Sequence, residues 1–265
     1  MDKALLVGIN KYPGSPLAGC VNDITDMANF LVDNCHFRSE DIRLLVDARA
    51  TTREIFARLQ WLADSRPGDR VLFHYSGHGA QVPARSDSGE VDGLYEVICP
   101  VDFDWSPGRM ITDKQFAELF EKMPQGVKFN WLSDSCHSGD LDRDIAPAPN
   151  GAEVLGYRRY PVPADIAWRQ RAARDKHLAS YRAMVGGKLD VGFVGGCQSD
   201  QTSADASFKN RPNGAFTYFF LKTIKKMPGD PLTQVVPSVT DALRHAGFSQ
   251  VPYVSGARVG LPFLG

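Results

Sequence analysis

The chain has no CxxC pair, no internal repeat and almost no net charge, with 30 Lys and Arg set against 31 Asp and Glu. Each absence removes a class of function. Without CxxC pairs there is no cysteine framework for zinc. The five cysteines, Cys20, Cys35, Cys99, Cys136 and Cys197, are odd in number and irregularly spaced, which suits a reducing compartment better than a disulfide scaffold. A net charge of −1, with no basic stripe interleaved with aromatics, provides no field for nucleic acid. No stretch reaches the roughly 18 apolar residues that a membrane-spanning helix needs. The opening MDKALLVGIN is too short in its apolar part for a secretory signal. The expectation is a cytoplasmic monomer with neither a nucleic-acid nor a membrane partner.

At 265 residues the chain suits one large α/β domain. Residues 3–9 form an apolar run that ends in a Pro/Gly turn, as a buried first strand does. Val21, Ile24, Met27, Leu31 and Val32 then recur at helical spacing, and residues 43–46 read as a second strand. Thr51 and Glu54 predict a capped amphipathic helix, and residues 111–120 another, capped by Thr112. Residues 81–93 read as a surface loop, followed by a short strand or hairpin over 95–100. Further strands are expected over 188–195 and 251–255, and helices over 213–225 and 232–245. Alternating strands and helices predict a mainly parallel sheet of about six strands covered on both faces.

Two strands end in unusual chemistry. Residues 69–79, DRVLFHYSGHG, run from apolar positions into a small-residue turn carrying His78. Residues 127–139, VKFNWLSDSCHSG, do the same with Cys136. Open α/β sheets place their chemistry at such carboxyl ends, where rigid strands deliver side chains to a crevice. Free cysteine is more often a small buried hydrophobe. Here Asp134, Ser135, His137 and Ser138 around Cys136 would make a costly core. With His78 as base, Cys136 becomes a candidate nucleophile for acyl transfer. The backbone N–H groups of Gly79 and Cys136 are candidate oxyanion donors. His74, inside its strand, reads as a core histidine, and His137 points away from its neighbour Cys136.

These segments resemble the caspase-like cysteine peptidases, specifically the metacaspase and prokaryotic orthocaspase branch. The resemblance extends to LLVGINKY (5–12), GCVNDI (19–24), CPVDF (99–103), GCQSDQTSADA (196–206), NGAFT (213–217) and QVPYVSG (250–256), nearly the whole chain. It implies a caspase-haemoglobinase-like fold in a single domain over 1–265. That domain would comprise a large-subunit-like part to about residue 142, a linker over about 143–187 and a small-subunit-like part from about 188. It also implies that Asp23, otherwise readable as an ordinary first-turn acid, lines the pocket for the residue before the scissile bond. Cys20 would lie beside it.

Asp134 and Asp23, with Ser76 beside them, put two carboxylates in that pocket, so the expected substrates are proteins or peptides with Arg or Lys before the cut. Asp134 read alone also fits a structural acid that orients His137 or caps a turn. Residues 141–188 lose periodicity and carry a basic run, Arg158, Arg159, Arg169, Arg171, Arg174 and Arg182. Read by itself, the run fits a solvated loop and helix. Inside an Arg/Lys-selective enzyme it is a candidate processing region, cut by the chain itself or by an upstream activating protease. Two other readings share this fold: a catalytically silent interaction module, and a peptide ligase in which an amine captures the thioacyl intermediate.

No cofactor is expected. Calcium-dependent relatives carry acids where this chain has Tyr95 before Glu96 and Lys114 after Asp113, leaving Asp140, Asp142 and Asp144 as the remaining ligand candidates. Turnover should therefore be the same in excess chelator and in millimolar calcium. A strong calcium requirement would show that Asp140, Asp142 or Asp144 restores the site.

Overall fold

The computed structural model describes residues 1–85, 91–137, 152–173, 190–198 and 201–265. In chain order its elements begin with β1 (Asp2–Gly8), α1 (Cys20–Cys35), β2 (Ile42–Val46), α2 (Thr52–Ala63) and β3 (Arg70–Ser76). There follow β4 (Gly79–Arg85), β5 (Val91–Ile98), β6 (Ile111–Thr112), α3 (Asp113–Phe120) and β7 (Lys128–Asp134). The chain continues with β8 (Ala152–Tyr157), α4 (Ala164–Ala173), β9 (Val191–Gly195), β10 (Ala204–Phe208) and β11 (Arg211–Gly214). It closes with α5 (Ala215–Ile224), α6 (Leu232–His245) and β12 (Tyr253–Ser255).

Six strands form the central sheet in the order β12-β9-β7-β3-β1-β2, all parallel except β12. This is the caspase-haemoglobinase-like α/β architecture. Strand side chains alternate between two cores, as a period of two requires. Leu5, Val7, Phe73 and Trp131 join α2, α3 and the small β4–β6 sheet on one face. Ala4, Leu6, Leu72 and Leu132 join α1, α5 and α6 on the other. Both faces are covered, which is why the strands read as nearly continuous apolar runs.

Local signals set several helix starts. The Asn10 side-chain carbonyl accepts the N–H groups of Cys20 (2.9 Å) and Val21 (3.3 Å) and so begins α1. Thr51 accepts from Glu54 N–H at 3.3 Å at the start of α2. Thr112 and Gln115 form a reciprocal capping box for α3. Because Thr112 is that cap, the helix begins at Asp113, and Ile111–Thr112 belongs to β6 rather than to the helix expected over 111–120.

The loop expected over 81–93 is instead the β4–β5 hairpin, extended by β6 into a three-stranded antiparallel sheet. Ala80, Val82 and Val97 pack into the first core, while Pro83 and the buried Gln81 blur the alternation that would have revealed it. Three further unforeseen strands, β8, β10 and β11, form another three-stranded sheet, and because β11 runs to Gly214 the helix expected over 213–225 begins at Ala215. Both small sheets stand beside the carboxyl ends of the central strands, and they build the site.

Candidate active site

β3 and β7 are hydrogen-bonded neighbours in a register that pairs Ser76 with Asp134. His78 and Cys136 each stand two residues past that pair, so the two side chains leave the sheet at one level. The strand order reverses between β1 and β3, since β2 lies on the far side of β1. Crevices at such reversals are where open sheets bind ligands. The loop after β1 reaches into this one: the Ser15 carbonyl accepts from Nε2 of His78 at 2.8 Å. A carbonyl can only accept, so Nε2 holds the proton and Nδ1 has its lone pair free. Among the described residues Nδ1 is buried with no hydrogen-bond partner. Burial, partly offset by the Ser15 carbonyl, brings this imidazole down to about 4, leaving it neutral at pH 7.

The residue occupying the crevice is Arg158. Its carbonyl oxygen accepts from the backbone N–H of Gly79 and of Cys136, each at 3.0 Å. Its own N–H donates to the Ser203 carbonyl at 3.0 Å, continuing the antiparallel β8–β10 ladder by one step. Beyond it, Tyr160 N–H donates to the Gly79 carbonyl at 3.1 Å. The main chain is thus held in extended form on both sides of the Arg158–Arg159 bond. A side chain on Gly79 would sit 2.8 Å from the His137 ring, so this close approach requires glycine.

The Arg158 side chain is fully buried among three carboxylates. Nη2 lies 2.6 Å from Asp23 and 3.0 Å from Asp205, and Nη1 lies 3.0 Å from Asp134. Nη1 also donates to the Ser76 hydroxyl at 2.8 Å, and that hydroxyl donates to Asp23 at 2.8 Å. Helix starts hold the acids. Asp205 accepts from Ala18 N–H at 2.7 Å and from Gly19 N–H, just before α1. Asp134 accepts from the N–H (3.0 Å) and hydroxyl (2.7 Å) of Thr217, and Asp23 from Gly214 N–H at 2.9 Å, both at the start of α5. Carboxylates at helix N-termini are favoured by the dipole and the free N–H donors. Burial, opposed by the Arg158 guanidinium, lifts the Asp23 carboxyl to about 6. Burial also opposes the charge on Arg158, but Asp134, Asp23 and Asp205 more than compensate, pushing its pKa further above the ordinary value.

Asp23, Ser76, Asp134, His78, Gly79 and Cys136 therefore converge in one place, and Cys20 is buried at the head of α1, its thiol pushed up chiefly by burial. Asp134 serves both as pocket acid and as helix cap. Sequence reasoning missed Asp205, Asn213 and Cys197, although each lies in a quoted segment. The Asn213 amide donates to Asp23 at 2.9 Å. The Cys197 thiol is raised first by its hydrogen bond with Cys136 and then by burial. His74 is a core histidine beside Thr217, as expected.

Of the six arginines singled out, Arg158 lies in the pocket. Arg159 follows it at a bridge with Gly79, while Arg169 and Arg171 lie on α4. Arg174 and Arg182 lie outside the described residues. The stretch over 152–173 is a built strand and helix rather than an aperiodic loop. Local periodicity could not reveal it, because β8 gains its partner from β10. As for calcium, burial lifts Asp113 to about 6 and its carboxylate accepts Lys114 N–H at 2.7 Å. No group of three or more His, Cys, Asp or Glu among the described residues could hold a metal ion, and Asp140, Asp142 and Asp144 lie outside those residues.

A thiol and an imidazole at adjacent parallel strand ends, with a peptide carbonyl between two N–H donors, place the protein in the class of caspase-like cysteine peptidases. Residues 2–142 match the family described as "Metacaspase, peptidase C14 domain". Metacaspase-1 of Scheffersomyces stipitis is 34% identical over 285 residues, covering 96% of this chain and 70% of that protein. Metacaspase-1 of Meyerozyma guilliermondii is 34% identical over 286 residues, covering 96% and 69%. The crystal structure of protein GSU0716 from Geobacter sulfurreducens shares the fold, with a TM-score of 0.67 at 24% identity over 97% of this chain and 94% of that one. The chain belongs to the metacaspase family and is a C14-type cysteine peptidase.

Gly214 tests the arginine seat. A side-chain carbon there would overlap an Asp134 oxygen and come within 2.5 Å of the Arg158 guanidinium carbon. Gly214→Ala in a Cys136→Ala background should dislodge Arg158 and expose residues 152–160 to trypsin. Cleavage at an unchanged rate would contradict the tight seat.

Proposed function

We propose that this metacaspase cleaves peptide bonds after arginine, and less readily after lysine, through Cys136 and His78, and that its own Arg158–Arg159 bond is its first substrate. The observation supporting this is the position of Arg158, with its side chain among three carboxylates and its carbonyl between the Gly79 and Cys136 N–H groups. Two guanidinium nitrogens engage separate acids, a division that a single lysine ammonium reproduces less well. A fully buried Arg158 is also a poor target for a second protease, which favours self-cleavage over an upstream activator.

In the proposed reaction, Nδ1 of His78 takes the thiol proton as Sγ of Cys136 attacks the carbonyl carbon of Arg158. The carbonyl electron pair moves onto oxygen, where the Gly79 and Cys136 N–H groups stabilise it. Collapse to the thioester breaks the Arg158–Arg159 bond, and the Arg159 amine leaves with the proton from His78. Water, deprotonated by His78, then attacks the thioester, and the departing thiolate recovers that proton. No step requires a metal, and we assign calcium no role. Five free cysteines, the nucleophile among them, suit the reducing cytoplasm as the working compartment. Until the bond is cut and β8 withdraws, the chain's own arginine excludes other substrates.

N-terminal sequencing of the processed protein should give a fragment beginning Arg159-Tyr160-Pro161. That fragment should be absent in Cys136→Ala and Arg158→Ala, and formed more slowly in Arg158→Lys. A first cut elsewhere in an otherwise active enzyme would defeat this assignment.

The elevated Asp23 carboxyl sets a pH dependence. Its charged form, which holds the guanidinium, predominates above about 6 and is lost as pH falls through that value. His78 stays neutral until about 4, so the acid limb belongs to Asp23. Self-cleavage should therefore slow as pH drops through about 6. A rate unchanged from about pH 7.5 to about pH 5 would count against the carboxylate pocket.

A further inference from the structure

Tyr160, two residues beyond the Arg158 carbonyl, has a seat of its own. Its ring centroid lies 5.0 Å from Phe103, 5.4 Å from His78, 5.8 Å from Tyr12 and 6.4 Å from Trp105, edge-on to each. These rings come from three separate segments: the loop after β1, the turn after β3 and the loop after β5. The Tyr160 hydroxyl donates to the Pro13 carbonyl at 3.3 Å. The main-chain bond from Tyr160 to Gly79 fixes the register, so whatever residue follows the scissile bond by two positions is delivered to this box. Trp105 has φ +68°, a left-handed backbone that bulky residues rarely adopt. Such strain persists only where surrounding structure enforces it, and it clusters at functional sites. Here it turns the indole toward Phe103, at 5.0 Å, and toward Tyr160.

We propose that Tyr12, Phe103 and Trp105, with the His78 ring, form a substrate site for an aromatic side chain at the second position after the scissile bond. The substrate class narrows from any arginine-containing segment to one reading Arg-x-aromatic. The inference rests on the arginine-cleavage reading and deepens it. On the unprimed side β8 pairs with β10 through main-chain bonds, and its Val154 and Tyr157 also pack against the second core. Beyond the arginine, Tyr160 is the residue after the scissile bond that meets a box of several rings. Edge-to-face contacts with several rings reward an aromatic side chain that a methyl group cannot replace. Contact with His78 also couples the seat to the imidazole that protonates the departing amine.

The test uses the processed enzyme and synthetic peptides copying residues 153–165, EVLGYRRYPVPAD, against the same peptide carrying Tyr160→Phe or Tyr160→Ala. The Phe peptide should match the original, and the Ala peptide should lose about tenfold in kcat/KM, as expected for several lost ring contacts. Trp105→Ala in the enzyme should bring the Tyr and Ala peptides closer together. Equal kcat/KM for Tyr and Ala peptides in the unaltered enzyme would overturn the aromatic site while leaving arginine cleavage standing. If no peptide is cut, the arginine reading fails, and hydrogen exchange decides the seat separately. In the uncut Cys136→Ala protein, Tyr160→Ala should speed exchange at the residue 160 amide and Tyr160→Phe should not. Unchanged exchange in Tyr160→Ala would overturn the inference.

Discussion

Three buried carboxylates converge on one guanidinium, and much of the site's construction follows from keeping them charged. Asp23, Asp134 and Asp205 come from α1, from the end of β7 and from β10, and none has appreciable contact with solvent. Acids packed this closely repel one another and lose hydration, a cost relieved only by a cation and by directed hydrogen bonds. The fold supplies the bonds through the starts of α1 and α5, whose free N–H groups donate to the acids. Arg158 supplies the cation. A pocket of this kind discriminates by electrostatics, because a neutral or acidic side chain would leave three carboxylates unpaired.

The same arrangement joins distant parts of the chain. The acids on α1 and β7 precede Arg158 in the chain, while Asp205 and the α5 donors follow it. Arg158 lies between them in sequence and among them in space. Its backbone is treated as β structure, continuing the β8–β10 ladder on one side and bridging to Gly79 on the other. Main-chain pairing of this kind tolerates varied sequence, while the side chains of Arg158 and Tyr160 each meet a dedicated set of partners.

The central sheet was largely legible because both of its faces are buried, which leaves apolar runs that end abruptly at polar turns. The caps at Thr51 and Thr112 were legible because capping is local chemistry. The β4–β5 hairpin was not, since Pro83 and the buried Gln81 interrupt its alternation. β8 was hidden for a different reason: Leu155 is exposed and Gly156 is small, so nothing in its own sequence announces a strand. Asp205 lay in plain view in SADA, yet an acid beside serine and alanine has no local feature that separates a pocket ligand from a surface charge.

By itself the sequence determined which strands carry Cys136 and His78, the acidic character of the pocket through Asp23 and Asp134, and the family resemblance. These depend on residue identity and on short-range patterns written along one strand or one helix. Only the tertiary structure decided that Arg158, rather than another of the basic residues after Cys136, fills the pocket, that Asp205 completes it, and that Tyr160 meets an aromatic box. Those facts arise from a register between β8 and β10 and from loops meeting across strand ends. Contacts between segments far apart in the chain are set by packing and hydrogen-bond pairing, and no local window of sequence contains both partners.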